Sequence, residues 1–223
     1  MNPNRLHLLL FGPPGAGKST QTELLLQQWR LVPISTGALL RDQVAASTEI
    51  GKQVSAILSR GELVSDEIII PLLRARLAAL SPDEGFLLDG FPRNISQAQA
   101  LDTILAELSR PLNAVISLEL GMAEAVNRLG GRRICHHNGP DEIIHISDDN
   151  AVARCIERGG LLVQRPDDLP NVIIRRLAVY HAQTEPLINF YRPRGIARTI
   201  DASGSAQEVA RRVSAAIEEI TRA

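Results

Sequence analysis

Gly12-Pro13-Pro14-Gly15-Ala16-Gly17-Lys18-Ser19-Thr20 constrains this chain more than any other stretch, because it fills every required position of the phosphate-cradling loop G-x-x-x-x-G-K-[ST]. Leu6–Phe11 before it reads as a short buried strand, and Gln21–Arg30 after it as a helix. Glycines let the backbone wrap closely, so that several N–H groups and a helix N-terminus point at one anion. Lys18 then meets the β- and γ-phosphates as a mobile point charge, and Ser19 turns a hydroxyl towards magnesium. The alternative is a glycine-rich turn with no ligand. Strand, loop and helix in that order decide for a nucleoside triphosphate site, held by Gly15, Ala16, Gly17, Lys18, Ser19 and Thr20.

The rest of the chain alternates strand and helix signals, which predicts a parallel sheet covered by helices. Strands are expected at 31–35, 85–90, 112–118 and 196–201, and helices from Thr36, over 49–59, 66–80, from Asn94 or Ser96 to Leu108, and over 122–129, 168–191 and 206–220. From Gly130 to about Gln164 the pattern breaks. Gly, Asp, Asn, His and Arg dominate there, with short apolar runs such as Ile143-Ile144, so small strands and turns are expected rather than more of the main sheet. The 223 residues can bury a substantial core, as one domain with insertions or as two. A net charge of −1 gives no electrostatic reason to invoke nucleic acid or an anionic membrane. No apolar run spans a bilayer, no signal-peptide pattern precedes the loop, and two cysteines do not make a secreted disulfide framework. A cytoplasmic enzyme is expected.

Asp89 ends an apolar strand at the sheet edge where open α/β folds place ligands, so its carboxylate suits magnesium, directly or through water. The competing role is a turn or N-cap aspartate. Arginines gather near the glycine-rich turns: Arg41, Arg93, Arg128, Arg132, Arg133, Arg165, Arg175 and Arg176, with Arg133 and Arg175 the least supported by position. Phosphoryl transfer needs alignment and charge neutralisation more than covalent help, and planar, permanently charged guanidinium groups suit that task.

With these residues in place, the chain resembles the adenylate kinases, of the nucleoside monophosphate kinase family and the long-lid type, nearly end to end. The resemblance rests on Gly12–Thr20, Ser35-Thr36-Gly37 with Leu40-Arg41, Gly61–Asp66, Leu88–Arg93 with Gln97, Arg128–Arg133, and Arg165–Asp168 with Arg176-Leu177. It implies a five-stranded P-loop sheet flanked by helices as a core (1–34, 65–130 and 167–223), a helical monophosphate-binding flap (35–64) and a lid (131–166). It implies ATP on the loop with Arg128, Arg132 and Gly204. AMP would lie on Thr36, Arg41, Gly90, Phe91, Pro92, Arg93, Gln97 and the Glu62, Leu63 and Val64 backbone, with Gln97 reading the adenine edge. Lys18, Arg93, Arg132, Arg165 and Arg176 would be catalytic, Arg165 and Arg176 straddling the phosphates, and Asp89 would organise magnesium. The implied reaction is ATP plus AMP giving two ADP, in a monomer that binds neither nucleic acid nor membrane. The rivals are a GTP:AMP or UMP/CMP kinase and a nucleotide-binding regulator without catalysis.

The lid departs from the family. Relatives with a lid zinc carry two pairs of ligands, and Cys135 and Cys155 fall at the first position of each pair; Asn138 and Arg158 stand at the second. His136, His137 and His145 are near, but they do not restore the familiar spacing. A metal-free lid held by hydrogen bonds and packing is expected over structural zinc, and a Cys135–Cys155 disulfide is the least favoured arrangement in a reducing compartment. Ile146-Ser147-Asp148-Asp149 replaces the family's Phe-Asn-Pro-Pro, so lid contacts to ATP, which by position would fall near Asp141 and Glu142, are not carried over.

Overall fold

The computed structural model describes residues 5–222. Five parallel strands form the main sheet, β1 (His7–Phe11), β2 (Leu31–Ser35), β3 (Gly85–Asp89), β4 (Ala114–Glu119) and β8 (Ala197–Asp201), in the spatial order β2-β3-β1-β4-β8. Three of them read as unbroken apolar runs because both faces are covered. The period-2 alternation of β1 shows this directly. Leu9 and Phe11 join a core with Ile34, Phe86, Phe91 and Tyr191, while Leu8 and Leu10 join another with Leu25, Ile116, Val213 and Ile217. One cover is α1 (Lys18–Leu26) with the C-terminal α10 (Ala206–Arg222), whose buried Val209, Val213, Ile217 and Ile220 recur at helical spacing. The other includes α4 (Asp66–Ala78) and α5 (Ile95–Glu107), whose Leu73, Leu77 and Leu101 are fully buried. The register sets Leu10 beside both Asp89 and Ile116, so the strand ends that carry the site lie level with one another.

Two helices, α2 (Thr36–Ala45) and α3 (Glu49–Ser59), follow β2. Their starts are fixed by Ser35 and Thr48, whose hydroxyls accept from the N–H of Ala38 and Gly51. After α6 (Met122–Gly131) the chain leaves the main sheet for a three-stranded antiparallel one. This sheet comprises β5 (Arg132–His136), β6 (Glu142–His145) and β7 (Leu161–Val163), ordered β6-β5-β7. It carries a helix that the sequence pattern does not reveal, α7 (Asp149–Glu157), capped by Asp148 and resting on Ala151 and Cys155. The expectation for the cysteines is corrected here. Cys135 on β5 and Cys155 on α7 are bonded as a disulfide with Cα atoms 6.0 Å apart, the arrangement that the compartment argument ranked last. Pairing the two thiols removes them from any zinc set, and His136 and His137 turn instead to Asp141 and Glu142. The long helix expected over 168–191 is also divided. A 3-10 turn (Pro166–Asp168) precedes α8 (Pro170–Val179), a π turn spans Tyr180–Thr184, and α9 (Leu187–Tyr191) follows Pro186. The first helix begins earlier and ends sooner than its pattern suggests, at Lys18 and Leu26.

Candidate active site

A cavity of about 620 Å³ opens at the C-terminal ends of β1 and β3. Its floor is the loop 12–17 running into α1. Gly15 holds φ +87° with a carbonyl of α6 so close that a Cβ would stand 2.9 Å from it, which ties the loop to that helix and requires glycine. Lys18 Nζ donates to the carbonyls of Gly12 and Pro13 at 2.9 and 3.0 Å, curling over the loop it belongs to. Gly15, Ala16, Gly17, Lys18, Ser19 and Thr20 all line the cavity, as do Arg41, Leu63, Asp89, Gly90, Pro92, Arg93, Arg128, Arg132, Arg165, Arg176 and Gly204.

The remaining candidates stand behind this wall. Thr36, buried, donates its hydroxyl to the Gly90 carbonyl at 2.8 Å. Phe91 is a fully buried core residue. Gln97 is buried with both ends engaged: its carbonyl accepts from the Arg93 N–H at 2.7 Å and its amino group donates to Asp66 at 2.7 Å. Glu62 and Val64 line a smaller recess that shares Leu63 and Val179 with the main cavity. Of the two arginines with least support, Arg133 donates to the carbonyls of Gly130 and Arg132, and Arg175 pairs with Glu62 at 2.5 Å.

Positive charge dominates the interior. Burial, with repulsion from Arg93, Arg176 and Arg132, pushes Lys18 down to about 8 despite the attraction of Asp89. Burial and the neighbouring Arg165 push Arg41 down to about 10. Two aspartates hold the guanidinium groups apart. Asp168, with no exposure, takes both ends of Arg132 at 2.7 Å and one nitrogen of Arg176 at 2.9 Å. Asp167 takes both ends of Arg165 at 2.8 and 2.5 Å. Several cations that face a cavity, most of them half-buried, make a strong polyanion site.

Asp89 is the carboxylate beside the loop. Burial raises its pKa against the pull of Lys18, Arg93 and Arg41 and of the Ser19 hydroxyl, and its Oδ1 is buried without a hydrogen-bond partner. A buried carboxylate oxygen with a free lone pair next to Ser19 fits magnesium or a magnesium-bound water.

Asp167 and Asp168 escaped sequence reasoning although they stand in a motif it used, because their work is to orient arginines. Ile143, Ile144 and His145 of β6 also line the cavity, and the apolar pair in a polar segment was the one signal for the two isoleucines. Tyr180 and Thr184 line it from the π turn and gave none.

A phosphate loop opening a parallel sheet, a carboxylate level with it on the next strand and converging guanidinium groups define a P-loop phosphotransferase with room for two phosphorylated partners. A sequence model of the adenylate kinase family matches residues 10–196. Adenylate kinase from Thermodesulfovibrio yellowstonii is 41% identical over 214 residues, 96% of this chain and 100% of that one. The relative from Nitrosococcus oceani is 43% identical over 96% and 99%, and that from Streptomyces coelicolor 41% over 96% and 99%. The chain belongs to the adenylate kinase family.

Proposed function

We propose that this chain transfers the terminal phosphoryl group of MgATP to AMP, giving two ADP, reversibly. The observation that carries the reading is the set of guanidinium groups of Arg41, Arg93, Arg132, Arg165 and Arg176 converging on one cavity with Lys18. A pure binding site has no use for so much oriented charge between two phosphate positions. The AMP phosphate is ionised at neutral pH, so its oxygen attacks the γ-phosphorus without a side-chain base, and the bridging oxygen departs with ADP. Lys18 and Arg132 neutralise the donor, Arg41 and Arg93 the acceptor, and Arg165 and Arg176 the transferring group between them. Magnesium, held through Asp89 and Ser19, supplies further neutralisation of the phosphate oxygens when bound. Arg128, whose guanidinium donates to the Ala202 carbonyl at 3.2 Å, and Gly204 both line the cavity and in this reading serve the donor.

In this reading residues 1–34, 65–130 and 167–223 are the core, 35–64 the acceptor flap and 131–166 the lid, and closure of flap and lid excludes water as a competing acceptor. The enzyme works as a monomer in the cytoplasm on small-molecule nucleotides. No described helix is long and apolar enough to cross a membrane. The test is ADP formation from ATP with AMP, CMP, UMP or GMP, with and without magnesium, with Lys18→Ala as control. Magnesium-dependent turnover with AMP, absent in the control, is expected. Preference for another monophosphate would overturn the acceptor assignment, and ATP binding without turnover would overturn catalysis.

A further inference from the structure

We infer that Thr184 is a positioning residue for phosphoryl transfer, acting by holding the backbone of Arg93. The inference rests on the ATP:AMP reading. Arg93 lies in the irregular stretch between β3 and α5, where no sheet or helix ladder fixes the chain. Each of its backbone groups is instead taken by a side chain from another position. Its N–H donates to Gln97 on α5 at 2.7 Å, and its carbonyl accepts from the Thr184 hydroxyl at 2.8 Å. Its own side chain completes the clamp, Nε donating to the Gly90 carbonyl at 2.8 Å. A guanidinium that must meet a phosphate within a few tenths of an ångström is thereby carried on a segment pinned from two sides.

Thr184 is carried by the same helical segment as Arg176. Arg176, Val179, Tyr180 and Thr184 all line the cavity, at positions i, i+3, i+4 and i+8. An unbroken α-helix would carry that face on at i+7 and i+8, so Thr184 keeps to it. Thr184 closes the π turn Tyr180–Thr184 and is buried at 6% exposure. One helical segment thus presents Arg176 to the phosphates at one end and fixes Arg93 at the other, so both arginines share a frame.

Thr184→Val keeps the shape and removes only the hydroxyl, leaving the Arg93 carbonyl unpaired. It is expected to lower kcat/KM for AMP roughly tenfold while KM for ATP stays within about twofold. Thr184→Ser restores the hydroxyl and most of the rate. In an Arg93→Lys background, Thr184→Val should cost less than about twofold more, since residues acting through one group are not additive. Thr184→Ala carries the same comparison if the valine variant does not fold. The inference is overturned by a folded valine variant equal to an active wild type, by equal losses towards ATP and AMP, by failure of serine to rescue, or by full additivity with Arg93→Lys. A wild type that forms no ADP from AMP overturns the functional reading and this inference with it.

Discussion

Arg132 meets Asp168 with two parallel hydrogen bonds of 2.7 Å, and Asp168 has no exposed surface. The same carboxylate reaches Arg176, so one buried anion orients two of the cations that face the cavity. Asp168→Asn keeps the size and removes the charge, which strips the half-buried Arg132 of its counter-ion and leaves Arg176 only Asp167. Denaturant unfolding is expected to show a loss of about 3 kcal/mol, because removing one partner of a buried pair strands the other. Saturating ATP should return part of that loss by supplying anionic charge to the folded state alone. A variant as stable as wild type would show that solvent, not Asp168, carries the counter-charge.

Much of this arrangement is legible in the residues. The strands announce themselves because both their faces are buried, so Leu8 and Leu10 are apolar for one core and Leu9 and Phe11 for the other. The loop 12–20 is legible because its chemistry admits few substitutes. What the sequence hides is whatever depends on one residue of phase or on a partner far away. α7 is a nine-residue helix whose buried side rests on little more than Ala151 and Cys155, too short a stripe to show in a polar segment. The π turn at Tyr180–Thr184 interrupts the 170–191 stretch although its pattern reads as one helix. Gln97 is visible as a motif residue, but only the fold reveals that its amide also braces Arg93 and Asp66.

Asp89→Asn separates the cost of the carboxylate from its use. Burial raises the folded pKa of Asp89 above its unfolded value, so the folded state binds the proton more tightly. The carboxylate therefore subtracts from stability as pH rises from the unfolded pKa through the folded one, and the full penalty stands above the folded pKa. The asparagine variant is expected to melt no lower than wild type at pH 7. Its kcat should fall about 10- to 100-fold, with magnesium dependence weakened, as for residues that orient a metal through water. A lowered melting temperature with unchanged magnesium response would refute the assignment.

Lys18 predicts proton-coupled binding. Its pKa is about 8 in the free protein, because burial and neighbouring arginines disfavour the charged form. The triphosphate supplies negative charge and raises it again, so binding takes up a proton where free Lys18 is partly neutral. Above pH 8 the apparent dissociation constant for ATP should rise by up to about tenfold per pH unit, the slope of a single linked proton. Titration calorimetry at pH 9 in buffers of different ionisation enthalpy should report close to one proton taken up, falling towards zero near pH 6.5. Lys18→Met should abolish the uptake; persistence of the uptake in that variant would assign the proton elsewhere.

The disulfide gives the small sheet a redox-dependent stability. Cys135 and Cys155 are buried and separated by 20 residues, so their bond ties β5 to α7 across most of the segment. Closing a loop of that length stabilises by about 3 kcal/mol, chiefly by restricting the unfolded segment. Thiol titration of denatured, unreduced protein should find no free thiol, and reduction should release two. Gly160 packs where a Cβ would stand 2.7 Å from both sulfurs, so the reduced pair remains enclosed and the sheet is expected to loosen rather than unfold. Because Ile143 and His145 of that sheet line the cavity, on the side that the proposed function gives to the donor, reduction should raise KM for ATP more than KM for AMP. Hydrogen exchange should quicken over 132–163 and stay unchanged in β1, β3 and β4. Two free thiols in the unreduced protein, with one equivalent of bound zinc, would instead return the cysteines to a metal site.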